Sequence, residues 1–303
     1  MKKVLVTGGA GFVPSSLVNG LLATGEYHVV AVDNYLTGKK GNLSTHPSYS
    51  FFKADVNSMQ DISSIMLHFG FDYVFHYAAV VGVQRTTDNP KLVLDDIKGL
   101  QNIFDLSKNT GVKRIFFSSS SEVYGEPVHL PQHEHETPLN SKLPYAVVKN
   151  IGECFCRSYQ KEFGLDYTIF RFFNTYGPRQ SEDFVVSKFL SAAKEKRDIT
   201  IYGDGKQTRT FCFIDDNIEF TLKALTEKLF VNDVVNVGND HLTTIEELAE
   251  LIIRITGSSS KIVKVSPLKE GDMTRRQPDI TKMKEVLGRP FVTLEDGIKK
   301  LVN

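Results

Sequence analysis

The segment Val4-Leu5-Val6-Thr7-Gly8-Gly9-Ala10-Gly11-Phe12-Val13-Pro14 constrains the fold more than any other part of the chain. It reads as a buried strand, a glycine-rich turn and the start of a helix. Glycines permit the tight turn and let backbone approach a pyrophosphate, which a helix N-terminus attracts. Gly8 and Gly11 make the turn, and the Phe12 and Val13 amides stay available to a phosphate. Pro14 stands where the dinucleotide fingerprint has a third glycine. Proline is tolerated in a first helical turn, where its missing N–H has no intrahelical partner. Close packing of helix on sheet is expected to suffer. The preceding Met1-Lys2-Lys3 mimics a signal peptide, but the apolar run breaks at Thr7-Gly8-Gly9, too early for one.

Downstream, apolar runs alternate with amphipathic stretches. The expected strands are Lys3–Thr7, His28–Asp33, Ser50–Lys53, Tyr73–His76, Arg114–Ser118 and Tyr167–Phe172. They are short and continuously apolar, as parallel strands covered on both faces are. The expected helices between them are Ser15–Ala23, Met59–Phe69, Val93–Asn109 and Tyr145–Phe163. Repeated β-α-β order implies a parallel sheet with right-handed crossovers. After Gly177-Pro178 the regularity weakens. A strand-like Val234–Val237 and helical patterns at Asp216–Lys228, Ile245–Ile255 and Asp279–Leu287 remain. The fold class is therefore α/β: a doubly wound, Rossmann-like parallel sheet with a smaller C-terminal substrate-binding lobe. Residues 1–175 are assigned to the dinucleotide-binding domain, with 213–238 returning to it. Residues 176–212 and 239–303 are assigned to the lobe.

Charge and composition exclude several classes. The 36 basic residues balance 36 acidic ones, so no net field recruits nucleic acid or an anionic membrane. No apolar run reaches the roughly 18 residues of a membrane span. The three cysteines, Cys154, Cys156 and Cys212, do not make a disulfide framework and suit a reducing cytoplasm, the expected location. They read as core thiols, because their spacing is too short for a usual zinc knuckle. His129, His133 and His135 lie with Glu134 and Glu136 in a polar loop containing proline. They read as solvated, and no metal is expected.

Asp33 ends the second expected strand. A carboxylate there accepts both ribose hydroxyls of NAD and repels the 2′-phosphate of NADP. Lys39 and Lys40 soften that preference. Asp55 and Val56 follow the third strand, in place to meet adenine. Tyr145 and Lys149 stand one turn apart at the start of a helix and share a face. An ammonium beside a phenol favours the phenolate and lowers a tyrosine from about 10. Such a tyrosine can take the proton of a sugar hydroxyl while hydride leaves the same carbon. Ser120, at the end of the preceding strand, can hydrogen-bond the same oxygen.

Seven stretches carry a family resemblance: Thr7–Phe12; Val32-Asp33-Asn34; His76-Tyr77-Ala78-Ala79; Ser118–Gly125; Tyr145-Ala146-Val147-Val148-Lys149; Arg171–Pro178; and Tyr202–Phe211. Nearly end to end, the chain resembles the extended short-chain dehydrogenases/reductases of the nucleotide-sugar epimerase, dehydratase and decarboxylase group. The resemblance implies bound NAD, an NDP-sugar substrate and a homodimer formed through a four-helix bundle. It implies that Ser120, Tyr145 and Lys149 are the catalytic triad. It implies a cofactor site of Gly8, Gly11, Phe12, Val13, Asp33, Asn34, Asp55, Val56 and Ala78, with Tyr145 and Lys149. Glu122 matches an acidic residue of the decarboxylase and 4,6-dehydratase branches. Asn174 and Arg209 match residues that hold the sugar-nucleotide pyrophosphate. Arg276 resembles a decarboxylase-branch arginine, with Arg275 competing for the alignment. Tyr124 and Tyr176 read as packing residues near the site.

The chain also departs from the group. Ser121 stands where the dehydratase has aspartate, which argues against that reaction. Asp96 stands where the group often has asparagine, and Ser16 where it often has histidine. The segment from His76 to Val83 is of epimerase type. The implied reaction begins at the sugar C4 hydroxyl. Tyr145, activated by Lys149 and the nicotinamide charge, takes its proton, Ser120 orients its oxygen, and hydride moves to NAD. Glu122 gives acid/base help or orients a hydroxyl. The 4-keto sugar then loses CO2 if it carries a carboxylate, or takes hydride back on its other face, which is epimerisation. Both outcomes rank ahead of a 4-dehydrogenase releasing the ketone and of the 4,6-dehydratase. The competing class is a non-catalytic NAD(H)-binding sensor. The presence of all three triad residues argues against it.

Overall fold

The computed structural model describes residues 1–267 and 275–302. The first half of the chain is β1 (Lys2–Thr7), α1 (Phe12–Ala23), β2 (Tyr27–Asp33), β3 (Tyr49–Lys53), α2 (Met59–Phe69), β4 (Tyr73–His76), α3 (Val83–Asp88), α4 (Pro90–Thr110), β5 (Arg114–Ser120), α5 (Pro144–Phe163) and β6 (Asp166–Phe172). There follow β7 (Thr175–Tyr176), α6 (Val185–Lys194), β8 (Ile199–Tyr202), β9 (Thr208–Arg209), β10 (Cys212–Phe213), α7 (Ile214–Thr226) and β11 (Asp233–Val237). The chain ends with β12 (Thr243–Thr244), α8 (Ile245–Thr256), β13 (Ile262–Val265), α9 (Thr281–Leu287) and α10 (Leu294–Val302).

Seven strands form one sheet in the order β3-β2-β1-β4-β5-β6-β11, and every pairing is parallel. The chain runs outward from β1 to β3, then returns to β4 on the other side of β1. That reversal opens a crevice at the carboxyl ends of β1 and β4, the place where open α/β sheets bind ligands. Thr7 stands level with both Val32 and His76, so these strand ends are aligned. The Thr7 hydroxyl accepts the Tyr77 and Ala78 amides, each at 3.0 Å, and bonds His76 Nδ1 at 2.9 Å.

Both sheet faces are covered, as continuously apolar strands require. One core gathers Ile62, Ile103, Phe117 and Ile169 with the neighbouring residues of α2, α4 and α5. The other gathers Leu17, Leu21, Phe116 and Phe220 with α1, α7 and α9. Gly152 lets α5 settle onto β5, since a Cβ there would lie 2.2 Å from the Phe117 ring. The helix carrying Tyr145 is thereby held against the strand carrying Ser120.

The expected cost of Pro14 does not arise. Pro14 is the third residue of α1, and the Ser15 amide makes the first helical bond, to Gly11 O at 3.1 Å. Close approach comes from Gly9 instead, where a Cβ would sit 2.5 Å from Ala31 Cβ. Helix α4 begins at Pro90, earlier than the apolar spacing suggested. The C-terminal half holds a third core, with Phe189, Ile199, Phe213, Leu248 and Ile298. It contains two helices, α6 and α10, that sequence reading did not anticipate. Ile280, Met283 and Leu287, around α9, pack beneath the main sheet.

Candidate active site

Two adjoining cavities open along the carboxyl edge of the sheet, with volumes of about 420 and 460 Å³. Phe12, Val13, Ser120 and Tyr145 belong to the walls of both. The first is also lined by Gly8, Gly11, Asp33, Asn34, Asp55, Val56, Ala78 and Lys149. All the residues expected to hold the dinucleotide thus face one space. The second is also lined by Glu122, Asn174 and Arg276. Arg209 is not in either wall among the described residues. It lies on β9, and its guanidinium donates to Thr208 O at 2.8 Å.

The first cavity suits NAD. Gly8 has φ +72°, and a Cβ on it would press to 3.0 Å from the Ala78 backbone. The turn therefore lies flat against the end of β4, as close passage of a pyrophosphate requires. Phe12 and Val13 open α1 with amides that a first helical turn leaves without intrahelical acceptors. The Asp33 carboxylate accepts the Ala10 amide at 3.0 Å and the Tyr35 amide at 2.6 Å. Each oxygen keeps a second acceptor site, which suits the two hydroxyls of a ribose. Burial raises the Asp33 carboxyl above its ordinary value, and the two amides oppose that rise. Asn34 donates to Asp55 at 3.1 Å.

At the junction of the cavities, Pro144 opens α5 and places Tyr145 in its first turn. Lys149 follows one turn on. Its ammonium donates to Ser118 O at 2.7 Å and lies 5.7 Å from the centre of the Tyr145 ring. Burial pushes Lys149 down to about 8. The Ser120 hydroxyl accepts the Glu122 amide at 3.2 Å, and it draws down the proton affinity of the Tyr145 phenol.

The electrostatics of Tyr145 differ from the expectation. Among the chain's own groups, burial dominates and raises the phenol above its ordinary value. The Glu122 and Asp96 charges raise it further, while Ser120 and Arg276 draw it down. Among the chain's own groups, burial and not Lys149 sets the direction. An ammonium placed over a ring and bonded to a backbone carbonyl does not offset the desolvation of the phenolate.

Glu122 and Arg276 meet as an ion pair at 2.6 Å in the wall of the second cavity. Arg276 also reaches Ser121 Oγ at 3.5 Å. The other Glu122 oxygen is buried without a hydrogen-bond partner. Arg275 is exposed, so the structure selects between the two adjacent arginines. Asn174 has φ +33° and donates to Thr210 O at 3.0 Å, which fixes it at the cavity edge.

Sequence reading missed Arg85 and Asp183. Both line the first cavity and pair at 3.2 Å across its mouth. No local pattern signals a pair so far apart in the chain. Tyr124 is fully buried and donates to Asn236 at 2.7 Å; Tyr176 lines the second cavity. Cys156 and Cys212 are core thiols, whereas Cys154 is exposed, contrary to expectation. His135 faces Asp233 at 3.2 Å. Among the described residues, no group of three histidines, cysteines or carboxylates is placed to hold a metal ion. None of the helices there is long and apolar enough to cross a membrane.

Comparison with known proteins gives a consistent picture. The chain is 34% identical to a putative UDP-glucose 4-epimerase of Methanocaldococcus jannaschii, covering 99% of this chain and 97% of that one. It is 36% identical to the UDP-N-acetyl-alpha-D-glucosaminuronate decarboxylase of Bacillus cytotoxicus, with the same coverage of 99% and 97%. The crystal structure of UDP-glucose 4-epimerase with UDP-glucose from Thermotoga maritima superposes with a TM-score of 0.93 at 33% identity, covering 99% of this chain and 97% of that one. The NAD dependent epimerase/dehydratase family matches residues 4–238. The chain belongs to that family and is an NAD-dependent enzyme of the extended short-chain dehydrogenase/reductase type.

Proposed function

We propose that this enzyme oxidises the C4 hydroxyl of a UDP-linked sugar uronate to the ketone and decarboxylates the product. The observation that carries the reading is the Glu122–Arg276 pair in the wall of the cavity that meets Ser120 and Tyr145. Among the described residues lining that cavity, Arg276 is the one cation. A guanidinium fork fits a carboxylate.

Tyr145 takes the proton of the C4 hydroxyl, and Ser120 hydrogen-bonds the same oxygen. Arg276 turns the sugar carboxylate toward the junction. Glu122 sits beside it, and its negative charge favours moving the substrate's charge off the carboxylate and onto the C4 oxygen as neutral CO2 leaves. A ketone at C4 is β to the uronate carboxylate, so the electrons left behind are taken up as an enolate. The enolate takes a proton at C5 to give the 4-keto pentose, and Tyr145 returns its own proton to the C4 oxygen as C4 is reduced. NAD supplies, when bound, a hydride acceptor and donor and a positive ring that favours the Tyr145 phenolate.

A second reading is 4-epimerisation, favoured by the apolar wall of Val81, Phe172, Phe184 and Val185. Such a wall offers a 4-keto hexose few anchors against turning. The two are separated by incubating the protein and NAD with UDP-glucuronate and neutral UDP-sugars, then following intact nucleotides by mass spectrometry. Loss of CO2 supports the first reading, and a new peak at unchanged mass the second. No change in any sugar would favour the NAD(H)-binding sensor. Arg276→Gln is expected to lower the rate of CO2 loss by about 10²-fold, while formation of the ketone persists. Equal loss of both steps would count against this role for Arg276.

Asp33→Asn tests the cofactor assignment. It removes the charge while one acceptor oxygen stays. Affinity for NADP relative to NAD is expected to rise about tenfold by fluorescence titration. An unchanged ratio would move ribose recognition elsewhere.

The same reading takes residues 1–175 with 213–238 as the NAD-binding domain, and 176–212 with 239–303 as the nucleotide-sugar lobe, where Asn174 and Arg209 hold the pyrophosphate. In its support, α7 packs on α1, and β11 pairs with β6. We also take the enzyme to be a cytoplasmic homodimer of carbohydrate biosynthesis, paired through α4 and α5. Their outer faces leave Leu94, Val147 and Phe163 exposed.

A further inference from the structure

We infer that Asp96 is a positioning residue for the Tyr145–Lys149 pair: its carboxylate stands as the counter-charge of Lys149 and sets the pH range in which the pair works. The inference rests on the assignment of Tyr145 and Lys149 as the acting groups.

Asp96 lies on α4, the helix packed against α5. Its neighbour Asp95 faces outward and pairs with Lys91 at 3.5 Å and Lys98 at 3.1 Å. Asp96 faces inward. One carboxylate oxygen accepts the Val80 amide at 2.8 Å, which ties the side chain to the turn after β4. Asp96, Lys149, Tyr145 and His76 all line one hollow of about 10 Å³, roughly the space of a single water molecule.

The charges around this hollow are few. From α5 come Lys149 and Tyr145, and from the end of β4 comes His76. His76 is fully buried, and burial and the Lys149 charge push it down to about 3, so it is neutral near pH 7. From the loop after β3 come Asp55 and Asn57. Glu122 and Arg276 face Tyr145 from the other side. The direct hydrogen bonds of the Lys149 ammonium go to Ser118 O and Ser118 Oγ, which are neutral. Of the groups facing Lys149, Asp96 is the one that holds up its proton affinity against burial. The same negative charge also raises Tyr145.

Both effects have one sign. Removing the Asp96 charge lowers the affinity of Lys149 and of Tyr145 for a proton. Asp96→Asn is the suitable change, because its amide oxygen can still accept the Val80 N–H. The direct test is an NMR titration of isotope-labelled lysine in the full chain, with Lys149 assigned through Lys149→Met. The Lys149 midpoint is expected to fall by about one pH unit in Asp96→Asn relative to the wild type. The pH–rate profile, measured on whichever UDP-sugar turns over, is expected to move to lower pH on both limbs. Asp96→Ser repeats the titration with a smaller uncharged side chain. An unchanged or raised Lys149 midpoint in these variants would reduce Asp96 to an anchor for Val80 and overturn the inference. The titration needs no substrate, so its outcome is independent of whether a UDP-uronate is decarboxylated.

Discussion

Tyr145→Phe is expected to lower kcat by about 10³-fold while leaving KM and NAD affinity near wild type. The ring packs against the core of α4, α5 and β5, and phenylalanine keeps that packing. What disappears is the hydroxyl, the group at the meeting point of the two cavities. The loss therefore falls on the proton transfer and not on binding. The chain's own groups, burial first, favour the neutral phenol. In the wild type, oxidation of C4 is thus expected to speed up as pH rises through the phenol's titration, and Tyr145→Phe removes that dependence. Single-turnover rates across pH on variant and wild type check both statements. Full turnover in the variant would remove Tyr145 from the chemistry.

Arg171→Met is expected to destabilise the fold by about 3 kcal/mol at neutral pH, the cost of stranding a buried charge. Arg171 and Glu153 are both almost fully buried and share two hydrogen bonds, of 2.8 and 2.7 Å. Arg171 also donates to the Tyr124 hydroxyl at 2.8 Å, and Glu153 accepts the Ser119 hydroxyl at 2.7 Å. Arg157, half-exposed, remains at 2.8 Å from Glu153 and limits the loss. In the wild type the Arg171 guanidinium and the Ser119 hydroxyl, against burial, hold the Glu153 carboxyl below its ordinary 4.5. That contribution is present above pH 4.5 and is lost as pH falls through the lowered folded value. In the variant, burial without Arg171 raises Glu153 instead. The stability difference between the two proteins is therefore widest near neutral pH and narrows in acid. Denaturant melts at several pH values test this. A constant difference would assign the loss to packing alone. Through Ser119 the network joins β5 one residue before Ser120, so it supports the site it does not line.

How much of this was legible in the chain varied with the physics of each element. The strands from β1 to β6 announced themselves because burial in the sheet gives most of them an apolar run, with the edge strand β3 only partly buried. The glycine turn, Asp33, Tyr145 and Lys149 were legible because their roles depend on local spacing, and the structure brings them to one crevice. The lobe was harder. β7, β9, β10 and β12 are two residues each, too short for any period. Helix α6 carried a readable signal in Val186, Phe189, Leu190 and Ala193, the spacing of one helical face. Arg209 lies outside both cavity walls among the described residues, so its motif alone carries the proposed place at the pyrophosphate. The Glu153–Arg171 and Arg85–Asp183 pairs join separate elements, and no local pattern marks them. The burial of Tyr145 was hidden for a similar reason. A helical spacing reveals the neighbouring ammonium but not the desolvation that outweighs it.

The most direct test of the account is a single-turnover reaction of NAD-loaded enzyme with UDP-glucuronate. It follows the near-ultraviolet absorbance of reduced nicotinamide and the mass of the nucleotide sugar together. The account predicts a transient absorbance rise, a nucleotide sugar lacking CO2, and neither in Tyr145→Phe. Cofactor that stays oxidised while the sugar changes, or equal turnover in Tyr145→Phe, would contradict it.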